Sequence, residues 1–403
     1  MQLPRDLDAD RLAALADRHG TPLYVTSAAT VRERYREVAE AFPDATVQYA
    51  AKANGNPHLL ALLRDEGAHL DCVSLGEVVA GERAGFAADT TMYTGVNPPG
   101  GELAAVVERG VTVNADSHSG LRRIARAADD PGDVPLGVRV NPGVGAGHHE
   151  KVTTGAADSK FGVPREQVES AFLTARELGL EPRGLHMHIG SGVMEPQPFV
   201  DAVEALADIA RECCQHDVDL DYVDVGGGLG VPYRPYDERL DLEGLASGVR
   251  GALDDVLEQE DATLIVEPGR YLVAESTVLL TRVDTRKQRF VGVDAGMHTL
   301  PRPALYDSYH HVSNLSRDAE DETVDVVGPI CESGDYLAEN RDVPSPEEGD
   351  LLAVHTAGAY GFSMASRYNG RPLPAEVLVD HGDERVIRER ESVDDLFARV
   401  PEL

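Results

Sequence analysis

Apolar residues in the first two thirds of the chain follow two alternating rhythms. Short runs rich in strand-forming residues recur at Val47–Ala51, His69–Ser74, Thr91–Thr94, Val111–Asn114, Leu136–Val140, Gly184–Ile189, Tyr222–Val225 and Leu264–Glu267. Between them, Pro57–Glu66, Gly76–Ala84, Glu102–Glu108, Ser117–Ala128, Arg165–Leu178, Gln197–His216 and Leu242–Glu260 read as helices. Eight strands alternating with helices predict an α/β fold, the parallel (β/α)8 or TIM barrel. Right-handed crossovers bring every strand C-terminus to one face, the face on which such barrels carry their chemistry. From about Thr277 the pattern changes to β-rich pieces separated by turn residues, including Arg289–Asp294, Thr323–Val327, Asp350–Thr356 and Ala375–Asp380, which predicts a second, mainly β domain. The expected barrel spans 28–276. Asp342–Glu348, with two prolines and several charges, reads as a surface loop.

The polar and glycine-rich interruptions fall at the predicted strand ends. Lys52 follows the first strand, and Asp71 and Ser74 close the second. Asn141-Pro-Gly143 follows the fifth, His186-Met-His188-Ile-Gly190-Ser191-Gly192 closes the sixth, Asp224-Val-Gly226-Gly227-Gly228-Leu-Gly230 follows the seventh, and Glu267-Pro268-Gly269-Arg270 closes the eighth. Lys52 is one of four lysines in a chain that otherwise uses arginine. Unlike arginine, lysine forms a Schiff base, and its pKa falls readily on desolvation. Taken alone it is also readable as an ordinary lysine after a strand.

Three contiguous glycines let backbone N–H groups approach an anion, and the loops after strands seven and eight are the usual phosphate site of a TIM barrel. Val231 stands where a dinucleotide fingerprint needs its third glycine, so that reading is weak. A Schiff-base lysine, a phosphate cradle with Gly269 and Arg270 beside it, and an acid on one face suggest pyridoxal phosphate. Glu267 would keep the pyridine nitrogen protonated and His188 would stack on the ring. Singly, Glu267 is also readable as a buried acid paired with an arginine, and His188 as a hydrogen-bonded core histidine.

With these motifs in place the chain resembles the diaminopimelate decarboxylase family of barrel-type pyridoxal-phosphate decarboxylases. The likeness covers nearly the whole chain: Tyr-Ala-Ala-Lys52-Ala-Asn, Asn141-Pro-Gly-Val, Ser159-Lys-Phe-Gly, the His186–Gly192 and Gly226–Gly230 runs, Glu267–Arg270, Arg302-Pro-Ala-Leu-Tyr306, Cys331-Glu332-Ser-Gly-Asp335, Gly358-Ala-Tyr360-Gly and the segment from Tyr368 to Leu378. The resemblance implies that Lys52 holds the cofactor covalently and His188 stacks on it. It implies that Ser191, Gly228, Glu267, Pro268, Gly269 and Arg270 contact the phosphate and the pyridine nitrogen. Arg270, Arg302, Tyr306 and Glu332 match substrate positions, Tyr360 matches a tyrosine reaching both cofactor and substrate, and Cys331 matches the proton donor. It further implies that Cys331 and Glu332 come from the partner subunit of a homodimer, and that Pro22–Thr26 pairs with the β-domain, which then consists of 1–27 and 277–403. The chain departs from the family pattern at Gly145–Glu150, at Pro301 and at Gly192.

The implied reaction is decarboxylation of meso-2,6-diaminopimelate to L-lysine and CO2, the last step of lysine biosynthesis. Arg302 and Glu332 together suit a zwitterionic distal group. The alternatives are a related decarboxylase of ornithine, arginine or a carboxylated polyamine, an amino acid racemase, which needs opposed bases and releases no CO2, and a non-catalytic pyridoxal-phosphate carrier, which would resemble the barrel alone.

Composition narrows the setting. At 403 residues the chain is long enough for two domains, each with its own core. It has no apolar stretch of bilayer-spanning length, and its start lacks the pattern of a secretion signal. Cys72, Cys213, Cys214 and Cys331 show no metal spacing and read as reduced thiols of a cytoplasmic protein, so no metal is expected. A net charge of −33, from 70 acidic and 37 basic residues, argues against nucleic acid or anionic membranes as partners. So acidic a surface with so few lysines suits a high-salt cytoplasm, where the self-repulsion is screened.

Overall fold

The computed structural model describes residues 2–143, 160–216 and 218–401. The departing loop Gly145–Glu150 and Ser159 lie outside the described residues. The chain divides into two compact units, one formed by Tyr35–Val231 and Arg239–Tyr271, the other by Met1–Arg34, Pro232–Glu238 and Leu272–Leu403.

The first unit is the expected barrel. Its eight parallel strands are Ala45–Ala50, His69–Cys72, Thr91–Tyr93, Thr112–Ala115, Leu136–Asn141, Pro182–His186, Tyr222–Asp224 and Thr263–Val266. The eighth returns to the first through Leu264 opposite Ala45, Ile265 opposite Thr46 and Val266 opposite Val47, so the sheet closes without an edge. Strands covered on both faces read as continuous rather than alternating apolar runs; Leu136–Asn141 is buried at every position.

Helix starts are fixed locally. Ser74 accepts from the Glu77 amide, and the Glu77 carboxylate accepts from the Val73 amide at 2.8 Å. Asn56 caps a helix whose first residue is Pro57, and Ser117 accepts from the Gly120 amide.

The barrel interior is packed rather than open. Tyr222, at the start of the seventh strand, fills the space left by two glycines. A Cβ on Gly184 would meet its ring at 2.0 Å, and one on Gly137 its hydroxyl at 2.1 Å. That hydroxyl donates to Asn114 Oδ1 at 2.8 Å, which satisfies a polar atom in the core.

The second unit is built on a nine-stranded mixed sheet. Along its main path lie Tyr336–Pro344, Asp321–Val327, Phe290–Val293, Thr277–Lys287, Leu23–Ser27, Ala375–Asp380 and Asp383–Arg388. Leu351–Val354 branches from Thr277–Lys287 and pairs with Val312–Asn314. The N-terminal strand does join this sheet, antiparallel to Thr277–Lys287 and parallel to Ala375–Asp380. Its alternation splits two cores: Leu23 and Val25 pack with Leu12, Leu15 and Leu280, and Tyr24 packs with Leu279, Val293 and Leu352.

One expectation needs correction. Asp342, Val343 and Pro344 are not loop but the end of a strand, opposite Thr323, Glu322 and Asp321. Tyr336–Pro344 is the outermost strand of its path, where a terminal proline removes no ladder bond the sheet needs. The four cysteines form no disulfide. No helix among the described residues is long and apolar enough to cross a membrane.

Candidate active site

The barrel brings together residues that the sequence holds more than two hundred positions apart. Lys52 sits in a single 3-10 turn, Ala51–Ala53, directly after the first strand. Its Nζ lies 2.6 Å from Oδ2 of Asp71, at the end of the second strand, and Thr94 Oγ1 donates to the other Asp71 oxygen at 2.6 Å. Asp71 is fully buried while the lysine side chain keeps 29% exposure, so the acid is the fixed half of the pair and the amine the accessible half. Burial and the charge of Glu267 push the Asp71 carboxyl up, against the pull of Lys52 and Thr94.

The loops after strands six, seven and eight are stitched together through their backbones. The Met187 amide donates to the Asp224 carbonyl, Glu267 to Gly226, and Val193 to Gly228, each at 2.9 Å. Such close approach needs glycine: a Cβ on Gly227 would stand 1.9 Å from the Glu267 carbonyl oxygen, and one on Gly228 2.5 Å from that of Gly190. Gly226 and Gly228 also adopt positive φ, +69° and +112°. Gly269 packs against the lysine turn, where its Cβ would lie 3.1 Å from that of Ala50 and 3.2 Å from that of Ala53. The Pro268 carbonyl accepts from the Ala50 amide at 3.5 Å.

Charge is concentrated beneath this rim. Glu267 is buried beside Asp224, which accepts from the Gly226 amide at 2.8 Å, and Glu267 Oε2 faces His186 Nε2 at 3.4 Å. Burial raises both carboxyls, and the charge of Glu267 raises Asp224 further, so the pair favours holding a proton. Arg139, inside the apolar fifth strand, is also buried, and its charge pulls Glu267 down. His188 is half-buried and accepts at Nδ1 from the Gly227 amide at 3.3 Å. Burial and the charges of Lys52 and Arg139 hold it well below the usual imidazole range, which keeps the ring neutral. Arg270 donates to Ser191 Oγ at 2.9 Å.

His186, Asp224 and Glu267 set one donor atom each within 4.8 Å of one another, a spacing compatible with a metal ion. The whole constellation fits pyridoxal phosphate better, because it offers an amine, a flat neutral imidazole, a glycine cradle beside Arg270 and Ser191, and a buried acid.

The remaining predicted residues lie in the second unit. Arg302 opens the short helix Arg302–Tyr306, buried, with Nη2 donating to Ser308 Oγ at 3.1 Å, and Tyr306, half-buried, ends that helix. Cys331 and Glu332 occupy the exposed turn between Asp321–Val327 and Tyr336–Pro344. Asp335 fixes that turn by accepting from the Met297 amide at 2.6 Å and the Ile330 amide at 2.7 Å. Cys331 Sγ accepts from Asn369 Nδ2 at 3.1 Å, and Tyr368 donates to Glu332. Tyr360 takes a positive φ of +55°, and a Cβ on nearby Gly358 would lie 1.9 Å from the Val273 carbonyl oxygen.

Asp71, Arg139, His186, Asp224, Asn369 and Asp335 were not among the predicted site residues. The signal was present for Arg139, a lone cation within a strand otherwise apolar enough to be wholly buried.

Fold and barrel face together define a barrel-type pyridoxal-phosphate enzyme. Residues 28–274 match the family described as pyridoxal-dependent decarboxylase, pyridoxal binding domain. The chain is 46% identical over 396 residues to diaminopimelate decarboxylase of Methanothermobacter thermautotrophicus, covering 95% of this chain and 92% of the relative. It is 43% identical to that of Archaeoglobus fulgidus, covering 95% and 94%. Among solved structures, diaminopimelate decarboxylase from Helicobacter pylori complexed with L-lysine superposes with a TM-score of 0.90 at 35% identity, over 96% of this chain and 98% of that one. The chain belongs to the diaminopimelate decarboxylase family, and its cofactor is pyridoxal phosphate.

Proposed function

We propose that this enzyme removes one carboxylate of meso-2,6-diaminopimelate as CO2 and releases L-lysine, the closing step of lysine biosynthesis. The observation that carries the reading is the Lys52 amine held by buried Asp71 on the barrel face that also bears Glu267 and the glycine cradle. Bound pyridoxal phosphate supplies the electron sink for the pair of electrons left when the carboxylate departs. Lys52 is the residue that holds the cofactor covalently, and Asp71 orients its amine. Glu267 keeps a proton at the pyridine nitrogen, with Asp224 and His186 behind it. Neutral His188 would stack on the cofactor ring. Ser191, Gly228, Pro268, Gly269 and Arg270 would hold the cofactor at its phosphate end, and Tyr360 would reach both cofactor and substrate.

Arg302, with Arg270 and Tyr306, takes the substrate carboxylates; Glu332 takes the distal ammonium, and Cys331 delivers a proton to the α-carbon. The chain acts as a homodimer in which each copy lends Cys331 and Glu332 to the other. As a division of labour, 28–276 binds the cofactor, and 1–27 with 277–403 completes the site. The acidic surface and reduced thiols support a cytoplasmic enzyme working at high salt.

Measuring CO2 release from diaminopimelate, ornithine, arginine and a carboxylated polyamine tests the assignment. Diaminopimelate is expected to give the highest kcat/KM; faster turnover of any of the others would replace it. Interconversion of stereoisomers without CO2 would indicate a racemase.

A further inference from the structure

The segment that begins at Tyr368 makes three contacts with the Cys331 turn, which none of the proposed roles uses. Tyr368 donates to the Glu332 carboxylate, Asn369 Nδ2 to Cys331 Sγ at 3.1 Å, and Arg371 Nη2 to the Pro329 carbonyl oxygen at 3.1 Å. As positions rise on one segment they fall on the other, so the two turns face each other in antiparallel register. Each turn is also fixed on its own. Arg367 Nε and the Leu373 amide both donate to Glu391 Oε2, each at 3.0 Å. The Asp335 amide donates to the Glu332 carbonyl oxygen at 3.1 Å, and the Ile330 amide to Asp335 Oδ2 at 2.7 Å. Asn369 takes φ +57°, a left-handed conformation that asparagine tolerates. Cys331, Glu332, Tyr368 and Asn369 are all exposed, where one hydrogen bond competes with water; three in register hold one another's geometry.

The direction of the Asn369 contact matters chemically. Sγ is the acceptor, so the S–H proton of Cys331 points elsewhere. When that proton passes to the α-carbon, the electron pair left by departing CO2 forms the new C–H bond and the negative charge moves to Sγ. A donor already at Sγ then bonds a thiolate instead of a thiol, and this charge-assisted bond is the stronger one, which favours the transfer. We propose that Asn369 is a positioning residue for the proton-donating step, aiming the Cys331 thiol and stabilising the thiolate it leaves. This rests on the assignment of Cys331 as proton donor.

The thiolate is the form that alkylates, so the pH dependence of iodoacetamide labelling at Cys331 in the holoenzyme, read by peptide mass analysis, reports this contact without turnover. Asn369→Gly keeps the left-handed turn and removes the donor, whereas Asn369→Asp keeps the side-chain shape and sets a negative charge beside the sulfur. The labelling midpoint is expected to rise by about half a unit to one and a half units in Asn369→Gly, and further in Asn369→Asp. In Asn369→Gly, kcat for L-lysine formation should fall roughly threefold to thirtyfold, with KM for diaminopimelate near its original value. Loss of packing alone would not order the two variants this way. Should Asn369→Gly fail to fold, Asn369→Asp carries both expectations. An unmoved midpoint, a reversed order, an unchanged kcat or a loss confined to KM would overturn the proposal. Cys331→Ala separates the two levels of argument. If it leaves L-lysine formation unchanged, the donor assignment itself falls; if it abolishes it while both Asn369 variants keep the original midpoint and kcat, only the role of Asn369 falls.

Discussion

Lys52 and Asp71 form the ion pair on which the proposed barrel chemistry rests. A lysine near a buried acid is ordinarily a structural ion pair, and breaking such a pair leaves an uncompensated charge. Here the acid has a second anchor in Thr94 and is fully buried, whereas the amine keeps partial access to solvent. The fixed acid therefore sets the direction of the amine without removing it from reach. Lys52→Ala should leave the protein folded but unable to retain pyridoxal phosphate covalently. Borohydride reduction followed by peptide mass analysis should find the cofactor on the Lys52 peptide of the original protein and on no peptide of the variant. A reduced adduct on another lysine of the variant would relocate the attachment point.

Among the secondary-structure elements, the helix Leu75–Ala84 ties its own start to the strand end beside Asp71. Glu77 in its first turn accepts from the Val73 amide, yet burial pushes its carboxyl from 4.5 up to about 7, outweighing that hydrogen bond and the nearby Lys52 charge. A carboxyl raised in the folded state binds its proton more tightly there than in the unfolded chain. Stability from this group is therefore full below pH 4.5 and is lost as pH rises through about 7. The loss amounts to about 3 kcal/mol. Denaturant unfolding compared at pH 4.5 and above 7 should show Glu77→Gln less sensitive to this rise than the original chain, because glutamine accepts the same amide bond without a charge to bury. An equal slope in both proteins would rule Glu77 out as the source.

For the whole molecule, shared sites and surface charge make one joint prediction. If each chain lends Cys331 and Glu332 to its partner, Lys52→Ala and Cys331→Ala chains, each inactive alone, should regain activity when mixed and allowed to exchange, since a hybrid dimer contains one intact site. With a net charge of −33 per chain, repulsion between subunits should dissociate the dimer and abolish activity on dilution into low salt, measurable by sedimentation alongside CO2 release. A monomer active at low salt that shows no complementation would defeat both halves.

The alternation of short apolar runs with helical periods sufficed for a (β/α)8 barrel, because parallel strands covered on both faces leave that imprint in any order of contacts. The sequence likewise marked Lys52, His188, the glycine run and Glu267-Pro-Gly-Arg270, since turn glycines and strand-end polar residues stand out against apolar strands. It misread Asp342–Pro344, because whether a proline lies in a loop or on an edge strand depends on which strand pairs beside it. Only the folded chain brought Asp71 to Lys52, Asp224 to Glu267 and Asn369 to Cys331. Local pattern records which face a residue presents to its own element, whereas these pairings depend on barrel closure and sheet register, which join segments far apart in the chain.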